Sequence, residues 1–260
     1  RVFTEENKGA GAARNRGLTE ATGKYMLFLD CDDFFEPDMV QLAYEKAEEQ
    51  GAEIVIYKSD QYNMDSGEFV YENWAMIEWA LPPYEPFGYR QISTNIFKAF
   101  VGWAWDKLYL REFVAKNDLK FQEQRTTNDA LFVFSALVLA EKISTVRKIL
   151  IHRRVDTADS LSKTREKSWD NFYRMLLALR QFLKDREKWN ELEKDFVNYA
   201  LHFSLWNYNT LAEPTKTKLR NKLVSEWFEE LGIRQRHKEY FYDEYEYSQY
   251  EAMLKLQDTP

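Results

Sequence analysis

An α/β fold with a mostly parallel sheet, followed by a mainly α-helical C-terminal region, is predicted by three features of the sequence. The apolar run Tyr25 to Leu29 breaks off abruptly into Asp30-Cys31-Asp32-Asp33, as a strand buried on both faces does when it meets a loop. A second apolar run, Glu53 to Tyr57, follows a helical pattern over Met39 to Gln50. The last third of the chain carries apolar residues at helical spacing and no further strand pattern.

Each element has a local cause. Asn7 to Gly17 reads NKGAGAARNRG, a glycine-rich loop entering a helix from about Ala10 to Thr22, with Gly23 as its C-terminal cap. Phe34 to Asp38 reads as a turn, Pro37 suits the first turn of the next helix, and Gly51 ends that helix. Pro82, Pro83 and Pro86 place a long excursion between Asp60 and Tyr89. Order returns with Trp103 to Phe113, a helix over Asn128 to Ala140 capped by Asn128 or Thr127, and a strand over Ile143 to Ile151. Helices are expected over Ser162 to Leu183, Glu191 to Thr210 and Thr215 to Leu231. The tyrosines between Tyr240 and Tyr250 suit a surface helix or packed tail.

Composition narrows the function. The chain has 260 residues, 45% of them apolar and 30% charged, which suits a globular protein with its own core. The net charge of −7 argues against a nucleic-acid partner, which needs a basic face, while leaving room for a local phosphate pocket. The single cysteine, Cys31, excludes an intrachain disulfide and fits a reducing, cytoplasmic compartment. No apolar run reaches the length of a membrane-spanning helix.

Two segments can carry chemistry. Asp30, Asp32 and Asp33 crowd three carboxylates at a strand end, where open α/β sheets bind ligands. A hard divalent cation, Mg²⁺ or Mn²⁺, would relieve their repulsion, and an acidic turn capping the next helix is the plainer alternative. An aspartyl phosphohydrolase also begins with two Asp after a strand, but Phe34-Phe35-Glu36-Pro37 does not fit its next segment. Lys8, Gly9, Arg14 and Asn15 sit where a helix start can receive a phosphate, although the glycine spacing is not that of a dinucleotide fold.

Together these segments resemble the inverting glycosyltransferases of family 2, which have the GT-A fold. The resemblance rests on Asn7-Lys8-Gly9, Ala13-Arg14-Asn15-Arg16-Gly17, the Tyr25 to Leu29 strand and Asp30-Cys31-Asp32-Asp33-Phe34. It continues through Trp105-Asp106-Lys107-Leu108-Tyr109, similar to the W-N-K-L-Y stretch of bacterial cell-surface polysaccharide enzymes. Asn128-Asp129 and His152-Arg153-Arg154 with Ser160 extend it further. It implies a catalytic domain over 1–162, a helical region over 163–260, and metal-dependent transfer from a nucleotide sugar, a UDP-sugar first, to a glycan or lipid-linked acceptor. Association with the inner face of the membrane or with other biosynthetic proteins is also implied.

The resemblance implies roles residue by residue. Asp129 would be the general base, held ionised by a helix N-terminus. Asp32 and Asp30 would hold the metal, with His152 as a further metal ligand or phosphate contact, or else a plain polar residue at a strand end. Lys8, Gly9, Arg14, Asn15 and Asp30 would contact the nucleotide; Lys107, by its own setting, reads as structural, pairing Asp106 or a nearby carboxylate. Two departures stand out: Asn128 replaces the usual Glu before the base, and the strands and D-G-S stretch with which family members hold the nucleotide base have no counterpart from Arg1 onward. A non-catalytic relative acting as a binding module is the alternative expectation.

Overall fold

The computed structural model describes residues 1–155 and 161–255. Two compact units divide the chain, Arg1–Ser160 and Leu161–Pro260.

In the first unit, helix α1 (Ala10–Glu20) leads into strand β1 (Tyr25–Leu27), the acidic turn, and the two-residue strand β2 (Phe34–Phe35). Helix α2 (Met39–Gln50) ends at Gly51, whose left-handed φ of 58° makes glycine the natural residue there. Strand β3 (Ile54–Asn63) turns through Gly67 into β4 (Phe69–Tyr71). Helix α3 (Ile96–Ala99), strand β5 (Lys107–Leu110), helices α4 (Arg111–Lys116) and α5 (Ala130–Leu139), and the long strand β6 (Ile143–Val155) follow.

The α/β class is as expected, but the sheet is mixed. Its order is β1-β5-β3-β6-β2, with β4 also on β3. Only β3 and β6 run parallel; the other described pairings are antiparallel. An apolar run reports burial on two faces, not strand direction, so Tyr25–Leu27 reads alike in either sense. Antiparallel order enters because β5 inserts between β1 and β3, and because Phe34-Phe35, expected as a turn, pairs with Ile151 and His152. The parallel pair β3–β6 runs from Ile54 to Asn63 with register shifts on either side of Lys58, and β5 and β4 divide the opposite edge of β3 between them.

Alternation along the strands fills two core layers. On one face Val55, Tyr57, Leu108 and Ile151 meet Met39, Ala43 and Ala47 of α2. On the other, Tyr109 meets Phe132 of α5, which stacks on Phe121 at 4.2 Å, and Phe28 packs edge-on to all three rings. Alanines on α2 allow close approach to the sheet, while the opposite layer is filled by aromatic rings.

The second unit is helical. A 3₁₀ segment (Leu161–Ser168) precedes α6 (Asn171–Asp185), α7 (Trp189–Thr210), α8 (Thr215–Lys222), a π-helical turn (Leu223–Trp227), α9 (Phe228–Glu230) and α10 (Glu244–Lys255). The expected apolar face of α6 is buried at Phe172, Leu176 and Leu179. Trp227, on the π turn, lies flat between two rings, 4.0 Å from Tyr173 and 5.3 Å from Trp169. Tyr250 of α10 is buried, as a packed tail requires. Among the described residues no helix is long and apolar enough to cross a membrane.

Candidate active site

Helix α1 is latched onto the segment before α5. Asn15 Nδ2 donates to the Phe121 carbonyl at 3.0 Å, and the Phe121 N–H donates back to Asn15 Oδ1 at 2.8 Å. Gly11 permits the approach: a Cβ there would lie 2.0 Å from the Gln122 carbonyl oxygen. Asn15, expected at the nucleotide, is thus engaged in joining two segments of backbone.

Arg14 completes the junction. Its Nη1 donates to Asn128 Oδ1 at 2.8 Å and its Nη2 to Asp30 Oδ1 at 2.7 Å, so one planar guanidinium ties the strand-end carboxylate to the residue before Asp129. Asn128, standing where the resemblance has Glu, keeps the acceptor oxygen for this bond. Lys8 is exposed at the entry to α1, and Gly9, at φ 91°, starts that helix with its own N–H bonded to Asn7 Oδ1.

Asp129 occupies the N-terminal cap position of α5 but makes no capping hydrogen bond through its side chain. Burial raises its pKa above the ordinary carboxylate value; Arg14, a backbone N–H at the helix start and Lys107 oppose that rise, and the Asp30 charge adds to it.

The acidic turn has three unlike members. Asp30 is 40% exposed and bound to Arg14, and Asp32 is exposed. Asp33 accepts from the Arg154 backbone N–H at 3.0 Å. Its pKa is pushed up to about 6, chiefly by burial, against that hydrogen bond and with help from the Asp32 and Asp30 charges. Two accessible carboxylates suit a hard cation that takes its other oxygens from a diphosphate and water. Among the described residues, no group of three or more His, Cys, Asp or Glu side chains is arranged to hold a metal unaided.

His152 faces other partners. Its Nδ1 lies 2.7 Å from Asp60 Oδ1 and its Nε2 3.1 Å from Glu36 Oε1, while its ring stacks on Phe34 at 4.7 Å. A metal-ligand role for His152 would require one of these bonds to open. Ser160, from the same motif, lies outside the described residues.

Lys107 pairs with Asp106 at 2.5 Å, as expected, and its Nζ also donates to the Val101 and Trp103 carbonyls. The pair is fully buried, and burial lowers the lysine's pKa and raises the aspartate's. Sequence patterning did not reveal Glu72, buried without exposure, which binds Arg153, Ser59 and Gln61. Nor did it reveal the partnership of Glu36 and Asp60 through His152. These contacts follow from strand register, which no local motif encodes.

Comparison with known proteins bears on the fold and the family. Residues 1–116 match the model of Glycosyl transferase family 2. The chain is 25% identical to EpsH of Bacillus subtilis strain 168 over 228 residues, covering 86% of this chain and 64% of EpsH. It is also 25% identical to the cholesterol galactosyltransferase of Borreliella burgdorferi, over 100% of this chain and 74% of that protein. Among solved structures, residues 1–349 of S. aureus TarS share the fold, with a TM-score of 0.51 at 17% identity over 95% of this chain and 73% of TarS 1–349. The strand-end aspartates thus lie inside the segment, residues 1–116, that matches glycosyltransferase family 2.

Proposed function

We propose that this chain transfers a sugar from a nucleoside-diphosphate donor to a hydroxyl of a glycan or lipid-linked acceptor, with inversion, in cell-surface polysaccharide synthesis. A UDP-sugar is the first candidate donor, a choice supported by the fold shared with TarS, which was solved in complex with UDP-GlcNAc. The observation that carries the reading is the Arg14 bridge, which brings Asp30 at the strand end next to the Asn128–Asp129 pair. Donor-side and acceptor-side carboxylates would then serve a single displacement.

Asp129 takes the proton from the attacking hydroxyl. Burial raises its proton affinity, which makes it a better base than an ordinary surface aspartate. Arg14 keeps enough positive charge beside it for the carboxylate to form. Asp32 and the second oxygen of Asp30 would hold a divalent cation, which when bound offsets charge developing on the leaving diphosphate. Lys8 and the first turn of α1 offer a cation and N–H donors to the same group. Asn15 keeps α1 in place for this task.

The test is release of nucleoside diphosphate from a panel of nucleotide sugars, with Mn²⁺ or Mg²⁺ and a glycan acceptor extract, by the protein that carries this chain. Turnover should require the acceptor, and Asp32→Ala should remove it while the melting temperature holds. Full activity in Asp32→Ala, or in excess chelator, would contradict the metal assignment.

A further inference from the structure

Two rows of side chains cross the sheet on one face beside the acidic turn. Strand register pairs Phe34 with His152 and His152 with Asp60. One step along the same face, it pairs Arg154 with Tyr62 and Tyr62 with Phe69. Because strand side chains alternate, these two rows point the same way. The rings meet: Phe34 and Tyr62 are 5.3 Å apart, Tyr62 and Phe69 4.9 Å, and Phe69 and His152 5.2 Å. The Arg154 guanidinium lies 5.6 Å from the Phe34 ring centre.

Phe34, Tyr62, Met64, Gly67, Phe69 and Arg154 line an open cleft of about 480 Å³, a volume within the range of small-ligand sites. Phe69 is 54% exposed and Met64 47%, so the aromatic floor is not covered by the unit's own core. The cleft adjoins the carboxylate turn directly: Phe34 follows Asp33, and Arg154 holds Asp33 through its backbone.

We propose that this aromatic ledge is a binding subsite for a pyranose ring of the acceptor. The inference rests on the glycosyl-transfer reading above and adds where the acceptor is held. A pyranose has one face of C–H groups, which packs on an aromatic ring, and a rim of hydroxyls, which accept from a guanidinium. The ledge supplies both, with ring faces from Tyr62 and Phe69 and N–H donors from Arg154. An acyl chain would use the rings and Met64 but make no use of the Arg154 donors. The ledge's position next to Asp33 places a bound sugar at the edge of the proposed reaction cleft.

The test uses methyl β-glucopyranoside, methyl β-galactopyranoside and methyl β-N-acetylglucosaminide as probes, at millimolar concentration, in saturation-transfer NMR without any donor. At least one should receive saturation at its ring C–H protons. Phe69→Ala and Phe69→Leu should both weaken that binding about tenfold, the scale of one aromatic contact. The leucine variant keeps apolar bulk and removes only the ring. Trp79→Ala, which removes a 75% exposed ring outside the cleft, is the control and should bind as the wild type.

Absence of binding by all three probes would overturn the ledge. So would binding that Phe69→Leu preserves, or binding displaced by 1-octanol, which marks an apolar-chain groove. The two readings fail separately. Nucleotide-sugar turnover with an acceptor KM unmoved by Phe69→Ala overturns the ledge and leaves the transferase. Pyranose binding in a chain that turns over no nucleotide sugar does the reverse.

Discussion

Arg14 and Asn128 are 114 positions apart in sequence, and their side chains meet at 2.8 Å. The same guanidinium binds Asp30, so a residue of α1 sets the spacing between the strand-end acid and Asp129. Arg14 is also the largest influence opposing the burial of Asp129.

Removing that charge should therefore move the pH dependence of transfer. Asp129 works as a base only when ionised, so activity rises with pH through its pKa. Burial already raises that pKa, and Arg14→Gln should raise it further. The acidic limb of the kcat/KM profile should shift to higher pH, with a smaller loss on the alkaline side. A limb that stays in place would show that Arg14 does not act on the base.

Lys107 and Asp106 form a buried ion pair, with two backbone carbonyls completing the lysine's donors. Lys107→Met leaves the aspartate buried without its cation. The expected cost is about 3–5 kcal/mol, measured by urea unfolding at pH 7. The double variant Lys107→Met with Asp106→Leu should recover part of that loss, because no charge then remains buried.

Asp33 gives a pH signature to the fold itself. Its pKa is about 6 when folded against 3.8 for the free side chain, so the native state holds the proton more tightly. Its contribution to stability is thus present below about pH 4 and is lost as pH rises to about 6. Asp33→Asn keeps the bond from Arg154 and removes the ionisation. It should match the wild type at pH 3.5 and exceed it by about 1 kcal/mol at pH 7, a figure discounted for partial exposure. Thermal melts in chelator at both pH values check this.

Much of this layout was legible in sequence, and the gaps have physical causes. The apolar runs, Gly51, the α6 face and the Asp106–Lys107 pair are set by local pattern or by adjacent residues. The direction of β5 is not, because burial on both faces leaves no mark of strand sense. Gly11 reads as one more glycine in a loop, and its role emerges only when the Gln122 carbonyl arrives from elsewhere in the chain. Asn15 falls in a motif whose chemistry suits phosphate, yet tertiary contact with Phe121 engages its amide. His152 likewise has a metal-ligand side chain, and strand register gives its nitrogens to Asp60 and Glu36. The aromatic ledge needs three strand pairings at once, so no single segment announces it.

Asp129, as the proposed base of the glycosyl transfer, is open to a direct test. Asp129→Asn keeps size and leaves the cap position intact, since the side chain makes no capping bond. The decisive measurement is the single-turnover rate of transfer from the accepted nucleotide sugar, alongside donor affinity by calorimetry. The rate should fall by roughly 10²–10⁴ with donor affinity nearly unchanged if Asp129 is the base. A rate within a few-fold of the wild type would contradict it.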